Sequence, residues 1–130
     1  MTYKQILIVD DNPLSRKLLN EMLRAEGFSV LVAASGGEAL ETIAKQRPDI
    51  VLLDVMMPEM DGFEVVRRLK ANEATRSTPI IMVTALDDDG ARKRLANAGV
   101  DSMLTKPIDR WELHSLLTRV LSAQAENNHE

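Results

Sequence analysis

The sequence contains no cysteine, few aromatic residues and no excess of positive charge. Without cysteine, the chain can form neither a disulfide framework nor a metal site built on thiolates. Aromatic residues make up 3% of the chain and hydrophobic residues 45%, so aliphatic side chains and the seven methionines must fill the core. A formal net charge of -4 gives no general attraction to nucleic acid or to anionic membranes. We therefore expect no direct binding of nucleic acid by this segment.

The sequence also lacks a long apolar run. No stretch approaches the length of a membrane span, and the first residues, Met1 to Gln5, do not have the pattern of a signal peptide. A length of 130 residues is that of one ordinary domain with a single core. We therefore expect a single-domain, soluble cytoplasmic protein that makes no membrane contact.

Short apolar runs alternate with amphipathic stretches along the chain. Because several runs have no polar alternation, they are typical of strands covered on both faces of a parallel sheet. Five β-then-α units in this order predict an α/β fold, a doubly wound three-layer sandwich with helices on both faces of a five-stranded parallel sheet. By analogy with flavodoxin-like folds of this size, we expect the strand order 2-1-3-4-5. The predicted strands are residues 6–9, 28–33, 50–53, 80–84 and 100–105.

Two of the predicted helices have distinctive patterns. The first begins after Asn12-Pro13. Its apolar stripe consists of Leu14, Leu18 and Met22, which recur every four residues, with Leu19 and Leu23 beside them. The fourth helix follows the acidic run at 87–89, which complements the positive end of a helix dipole. It has few large apolar residues, so we expect it to be weakly held and to move easily.

The last predicted helix sets the end of the domain. Its apolar stripe stops at Leu121, and the residues after it are polar. We therefore expect the domain to span residues 4–121 and residues 122–130 to form a frayed polar tail. Trp111 lies outside the stripe of this helix, where it either packs near the helix start or contacts a partner.

Polar side chains stand where four of the predicted strands end. Asp10 and Asp11 follow the first strand, Asp54 the third, Thr84 closes the fourth and Lys106 follows the fifth. Because the carboxyl ends of parallel strands meet at one edge of a sheet, we expect these side chains to converge there. Three converging carboxylates either share protons or hold a cation, and hard oxygen ligands favour Mg²⁺.

This set of residues suits phosphoryl transfer. Asp54 is the best nucleophile candidate, because carboxylates can form acyl phosphates and Asp54 alone emerges from the central strand. The Lys106 ammonium and the Thr84 hydroxyl would meet phosphoryl oxygens, and this reaction asks a protein mainly for positioning and charge neutralisation. The individual residues also have simpler interpretations, as a solvated turn pair at 10–11, a strand-end hydroxyl and a surface lysine.

The chain resembles the receiver domains of bacterial two-component response regulators over residues 4–121. Four motifs carry the resemblance by their order and spacing: Val-Asp-Asp-Asn at 9–12, the stretch from Pro48 to Gly62, Thr84-Ala85, and Leu-Thr-Lys-Pro at 104–107. The resemblance implies that Asp54 accepts a phosphoryl group from the phosphohistidine of a sensor histidine kinase or a histidine phosphotransfer protein. It also implies a downstream effector, reached by association unless the chain is part of a longer one, and a possible homodimer through helix four, strand five and helix five.

The same resemblance assigns roles to the site residues. Asp10 and Asp11 would place Mg²⁺ together with Asp54 and the main-chain carbonyl of Met56. Thr84 and Lys106 would bind the phosphoryl group. It further implies a cis peptide bond before Pro107.

One position departs from the family pattern. Most receivers carry Tyr or Phe two residues before the Thr-Lys-Pro motif as a rotameric switch, and Met103 stands there in this chain. We hypothesise that Met103, which is flexible and apolar, still follows a movement of Thr84, with a less discrete change between two positions.

Three other functions compete with a phospho-accepting switch. A Mg²⁺-dependent phosphohydrolase with an aspartyl nucleophile often has a second Asp two residues after the first, where this chain has Met56. An FMN-binding electron carrier of the same fold needs a Ser/Thr/Gly loop after strand one, and the acidic loop at 10–13 would repel the phosphate. A degenerate receiver that only binds partners fits poorly with a complete acidic set. We therefore expect an acceptor domain rather than a turnover enzyme.

Overall fold

The computed structural model describes residues 4–85, 89–100 and 102–127. Strands and helices alternate through these ranges, as the sequence pattern predicts. The elements are β1 (Gln5–Val9), α1 (Pro13–Ala25), β2 (Ser29–Ala33), α2 (Gly36–Lys45), β3 (Ile50–Asp54), α3 (Gly62–Ala71), β4 (Ile80–Thr84), α4 (Asp89–Asn97), β5 (Ser102–Thr105) and α5 (Arg110–Asn127).

The strands form one parallel sheet in the order β2-β1-β3-β4-β5. This confirms the predicted flavodoxin-like α/β topology and its strand order. The register pairs Asp54 with Val83 and Thr84 with Thr105, so the polar ends of β3, β4 and β5 lie along one edge of the sheet. β3 and β4 are buried at every residue, in keeping with their continuous apolar runs.

Two apolar clusters fill the space between the sheet and its two helical layers. Alternate residues of each strand point to opposite faces, so Leu7, Leu53 and Met82 enter one cluster while Ile8 and Leu52 enter the other. The first cluster includes the buried residues of α2 and α3, and the second includes those of α1 and α5. The sheet is therefore covered on both faces, and its carboxyl edge lies between the two layers.

Side-chain caps define where several helices begin. The Asn12 side chain accepts hydrogen bonds from the amides of Leu14 and Ser15 at 2.9 and 3.2 Å, and Pro13 occupies the first turn. The Asp61 carboxylate caps α3 by accepting from the Glu64 amide at 3.0 Å. These caps end the loops after β1 and β3 at defined residues, which limits where the neighbouring acidic groups can lie.

The apolar stripe predicted on α1 is buried only in part. Leu19 and Leu23 are buried, whereas Leu14 and Leu18 are 64% and 50% exposed. The face of α1 that meets the sheet is therefore centred on Leu19 and Leu23. The predicted stripe contained both sets of apolar residues, and helical spacing alone does not say which set meets the sheet.

The C-terminal helix is longer than predicted. α5 runs to Asn127, so the helix continues past Leu121 into the segment expected to be a frayed tail. Residues 128–130 lie outside the described ranges, as do Asp87 and Asp88 of the acidic run before α4. Trp111, in the first turn of α5, is 73% exposed. None of the helices in the described part of the chain combines the length and the hydropathy needed to cross a membrane.

Candidate functional site

The carboxyl edge of the sheet brings the predicted site residues together. Asp54 is the last residue of β3 and Thr84 the last of β4, and both are buried. Asp10 follows β1, where its amide donates to the carbonyl of Ala33 at 3.1 Å. Lys106 follows β5, and its amide donates to the Thr84 carbonyl at 2.8 Å. Main-chain hydrogen bonds to the neighbouring strands therefore hold two of the site residues that lie just beyond a strand end.

Three carboxylates meet at this edge. One carboxylate oxygen from each of Asp10, Asp11 and Asp54 lies within 4.8 Å of the other two. Asp10 and Asp54 are buried, at 2% and 5% exposed, while Asp11 is exposed. Hard oxygen donors at this spacing fit Mg²⁺, and the exposed side at Asp11 leaves room for the waters that Mg²⁺ retains. The donor set is therefore suitable for the predicted ion.

Lys106 provides a positive charge next to two of the carboxylates. Its Nζ lies 3.3 Å from Asp10 Oδ2 and 3.5 Å from Asp54 Oδ2. The Lys106 side chain is 29% exposed, so the pair with Asp54 is partly shielded from solvent. The ammonium can therefore neutralise the site and still reach an anion that arrives from solvent. The peptide bond between Lys106 and Pro107 is cis, as the resemblance implied.

The Asp54 carboxyl is unusually basic. Burial, and after it the negative charge of Asp10, raises its pKa from the ordinary value of 3.8 to about 6. Lys106 and the Met56 amide, which donates to Asp54 Oδ1 at 3.4 Å, act in the opposite direction and lower the pKa. Near neutral pH the Asp54 carboxyl group is mainly ionised. Because the carboxylate is partly desolvated, its interaction with an electrophile or a cation is favourable.

Met56 is 62% exposed, and its amide donates to the Asp54 carboxylate. The role of its carbonyl as a metal ligand stays a prediction. Met103 is half-buried and pairs with Met82 across β4 and β5. Thr84 lies two residues after Met82 on β4, so the two side chains point to the same face of the sheet. Met103, opposite Met82, lies on that face too. This placement is compatible with Met103 following a movement of Thr84.

Sequence reasoning missed the structural part that Gly62 plays. A Cβ on Gly62 would lie 2.6 Å from the carbonyl oxygen of Asp54 and 2.9 Å from the Cα of Val55. The Gly62 amide donates to the Val55 carbonyl at 2.9 Å. The start of α3 therefore packs directly on the main chain of the central aspartate. The Asp61-Gly62 turn signal marked the position but not this close approach.

Sequence reasoning also missed Arg16, whose Nη1 donates to the Asp10 carbonyl at 2.8 Å. No motif marks this residue, because the contact depends on how the loop after β1 folds back over the first turn of α1. A cavity of about 440 Å³ lies near the same loop. Its walls are mainly apolar, and it is lined by Asp10, Ser15, Leu18, Leu19, Met22, Lys106, Pro107 and Ile108.

Comparison with known families agrees with this geometry. Residues 6–118 match the family model described as the response regulator receiver domain. The chain therefore belongs to the response regulator receiver domains, the phosphorylation-based signalling modules of two-component systems.

Individual relatives indicate how far the likeness extends. The response regulator PleD of Caulobacter vibrioides is 48% identical over 105 residues, which is 81% of this chain and 23% of PleD. The polar-differentiation response regulator DivK of Brucella ovis is 37% identical over 105 residues, which is 81% of this chain and 85% of DivK. The match thus spans about a quarter of PleD and most of DivK.

Solved structures share the whole fold. A putative response regulator from Chloroflexus aurantiacus superposes with a TM-score of 0.89 at 36% identity, covering 93% of this chain and 99% of that one. The receiver domain of the sensor histidine kinase PA1611 from Pseudomonas aeruginosa PAO1 superposes with a TM-score of 0.86 at 36% identity, over 93% of this chain and 99% of that one. That neighbour has a magnesium ion coordinated in its active-site cleft.

Proposed function

We propose that this domain is a Mg²⁺-dependent phospho-accepting switch in which Asp54 receives a phosphoryl group from a sensor histidine kinase or a histidine phosphotransfer protein. The observation that carries the proposal is the meeting of three carboxylates within 4.8 Å, with Lys106 at 3.3 and 3.5 Å from two of them. The magnesium site of the PA1611 receiver domain supports the choice of ion.

In the proposed reaction, an Asp54 oxygen attacks phosphorus while the bond from phosphorus to the donor's imidazole nitrogen breaks. The released nitrogen takes up a proton from solvent, so the products are an acyl phosphate and a free imidazole. Asp54 must be ionised to attack, and its pKa of about 6 leaves it mainly ionised at neutral pH. Asp10, Asp11, Asp54 and the Met56 carbonyl would hold Mg²⁺, which when bound neutralises charge on the phosphoryl oxygens.

Two further residues would act on the transferred group. The Lys106 ammonium, which contacts the carboxylates of Asp10 and Asp54, would turn to a phosphoryl oxygen once Asp54 is phosphorylated. The Thr84 hydroxyl would donate to another oxygen, because Thr84 lies at the end of the strand next to Asp54. Each contact becomes favourable only after the negative phosphoryl group has arrived. Phosphorylation itself would therefore drive Lys106 and Thr84 to form these contacts.

We propose that the domain is an acceptor rather than a turnover enzyme. Met56 stands two residues after Asp54, so the side chain at that position cannot act as a general acid for a phosphate ester. The acyl phosphate would instead be lost by hydrolysis within the domain itself. Steady release of phosphate from small phosphate esters would favour a phosphohydrolase instead.

The output face would consist of α4, β5 and α5. Leu95 is buried, and the other described side chains of α4 are more exposed, so this helix has little anchoring to resist displacement. Arg92, Lys93 and Arg94 give its exposed side a basic character, and Trp111 is exposed at the start of α5. A downstream effector, or a second copy of the domain, would dock on this face after α4 shifts.

The phosphodonor would dock at a different surface. Leu14 and Leu18 are exposed on α1, and the cavity of about 440 Å³ next to Leu18 also reaches Asp10 and Lys106. An apolar surface beside the reacting carboxylate suits a helical donor that must bring its phosphohistidine to Asp54. We place the domain in the cytoplasm, which its membership of the receiver domains of two-component systems supports.

Labelling by acetyl phosphate tests the acceptor role. The wild-type protein should gain one phosphoryl group in the presence of Mg²⁺, detected by intact-protein mass spectrometry, and should gain none in EDTA. Asp54→Asn should not be labelled. Asp61→Asn is the matched control, because Asn caps a helix as well as Asp does and should be labelled normally. Unchanged labelling of Asp54→Asn would refute the assignment of the acceptor.

A further inference from the structure

Arg16 contacts the acidic site through the main chain of Asp10. It lies in the first turns of α1, and its Nη1 donates to the carbonyl oxygen of Asp10, six residues earlier, at 2.8 Å. Within the described ranges, no carboxylate lies within ion-pair distance of the Arg16 guanidinium. This charged donor is therefore directed to a main-chain carbonyl beside three acidic side chains.

The helix does not need this contact in order to start. The Asn12 side chain accepts hydrogen bonds from the amides of Leu14 and Ser15, and the Asn12 carbonyl accepts from the Arg16 amide at 3.1 Å. The first turn of α1 is thus capped by Asn12 and the main chain. The Arg16 side chain takes no part in this cap, and it contacts the loop after β1 instead.

Asp10 is held at each of its polar groups. Its amide donates to Ala33, its Oδ1 accepts from the Asn12 amide at 2.9 Å, and its Oδ2 lies 3.3 Å from Lys106 Nζ. Its carbonyl is held by Arg16. Asp11 differs, because its exposed carboxylate has no hydrogen-bond partner among the residues described. The direction of Asp11 therefore depends on the peptide group that joins it to Asp10.

That peptide group links Arg16 to Asp11. A peptide unit is planar, so the carbonyl oxygen of Asp10 lies in one plane with the amide nitrogen and Cα of Asp11. A donor that holds the oxygen restricts rotation of this plane, and rotation would swing the Asp11 carboxylate away from Asp10 and Asp54.

We propose that Arg16 is a positioning residue of the acidic site, which orients the Asp10–Asp11 peptide so that the Asp11 carboxylate joins those of Asp10 and Asp54 around a divalent cation. The inference rests on the proposed function for the identity of the cation. It assigns Arg16 no contact with the ion or with the phosphoryl group.

Affinity for Mg²⁺ in the absence of any phosphodonor tests this role. Arg16→Met removes the donor but keeps an unbranched side chain, and it should weaken Mg²⁺ binding by about 10-fold or more, as loss of a residue that supports metal ligands does. Arg16→Lys keeps one cationic donor and should recover part of the affinity. Arg24→Met is the matched control on the same helix, because Arg24 bonds to the Asn20 side chain away from the site and its loss should leave the affinity unchanged.

The Mg²⁺ affinity is measured by isothermal calorimetry and by amide NMR shifts during a Mg²⁺ titration. Urea unfolding in EDTA checks that each variant is folded. Equal Mg²⁺ affinity in Arg16→Met, Arg16→Lys and wild type would overturn the proposal, as would an equal loss in Arg24→Met. If wild type takes a phosphoryl group while Arg16→Met keeps its affinity, only the inference fails. If wild type is not labelled but Arg16→Met binds Mg²⁺ more weakly, the proposed function fails and the role of Arg16 stands.

Discussion

Replacing Asp54 by Asn should stabilise the Mg²⁺-free protein, although it removes the residue proposed to act. Burial, with the charge of Asp10, raises the pKa of Asp54 from 3.8 to about 6. The folded protein therefore binds this proton more tightly than the unfolded chain does. The stabilising effect of the protonated form is fully present below about pH 4 and is lost as pH rises through about 6.

The size of the effect follows from the same pKa. The difference between 3.8 and about 6 is roughly two pKa units, which corresponds to about 3 kcal/mol. Asp54 is 5% exposed, so solvent screens little of this cost. Asn keeps the acceptor for the Met56 amide but gives up the attraction of Lys106, so we expect a net gain of about 1 to 3 kcal/mol at pH 7.5.

Urea unfolding in EDTA, measured from pH 4 to pH 8, is the assay. The free energy of unfolding of wild type should fall relative to that of Asp54→Asn between about pH 4 and about pH 6 and then run parallel to it. Adding Mg²⁺ should stabilise wild type more than the variant, because the ion binds the folded carboxylate cluster. An Asp54→Asn protein that is less stable than wild type at pH 7.5, or a difference that does not change with pH, would refute the reasoning.

Three further predictions concern packing and the switch. Gly62→Ala should lower the free energy of unfolding by about 1 to 3 kcal/mol and slow labelling of Asp54, because the new Cβ would lie 2.6 Å from the Asp54 carbonyl; normal stability with normal labelling would contradict this. Leu23→Ala should cost about 2 to 5 kcal/mol in urea unfolding while Leu14→Ala changes stability by less than about 0.5 kcal/mol, since Leu23 is fully buried and Leu14 is 64% exposed; equal losses would show that the face of α1 has been misjudged. The side-chain NMR shifts of Met103 should change when beryllofluoride and Mg²⁺ are added, and identical shifts would count against its following Thr84.

The sequence was sufficient to predict the sheet and the residues at its edge. Unbroken apolar runs such as 50–53 identify strands buried on both faces, because few other environments tolerate such runs. Once the strands are parallel, the edge on which Asp54, Thr84 and Lys106 lie follows from chain direction alone. Their convergence could thus be predicted without any knowledge of side-chain contacts.

The sequence was insufficient where the structure depends on which residues of two distant segments pack together. Leu14 and Leu18 have the same helical spacing as Leu19 and Leu23, and only packing against the sheet decides which pair is buried. The helical extent of α5 past Leu121 was missed for a related reason, because the end of its apolar stripe was taken as the end of the helix.

The order of strands and helices, and the identity of the acidic and basic groups at the sheet edge, were determined by the sequence itself, because hydrophobic periodicity and residue type are local properties. Tertiary structure alone decided the raised pKa of Asp54, the hydrogen bond from Arg16 to Asp10 and the close approach of Gly62 to the central strand. Each of these depends on distances between groups that the fold brings together, and burial and contact at those distances are what perturb a charge or exclude a side chain.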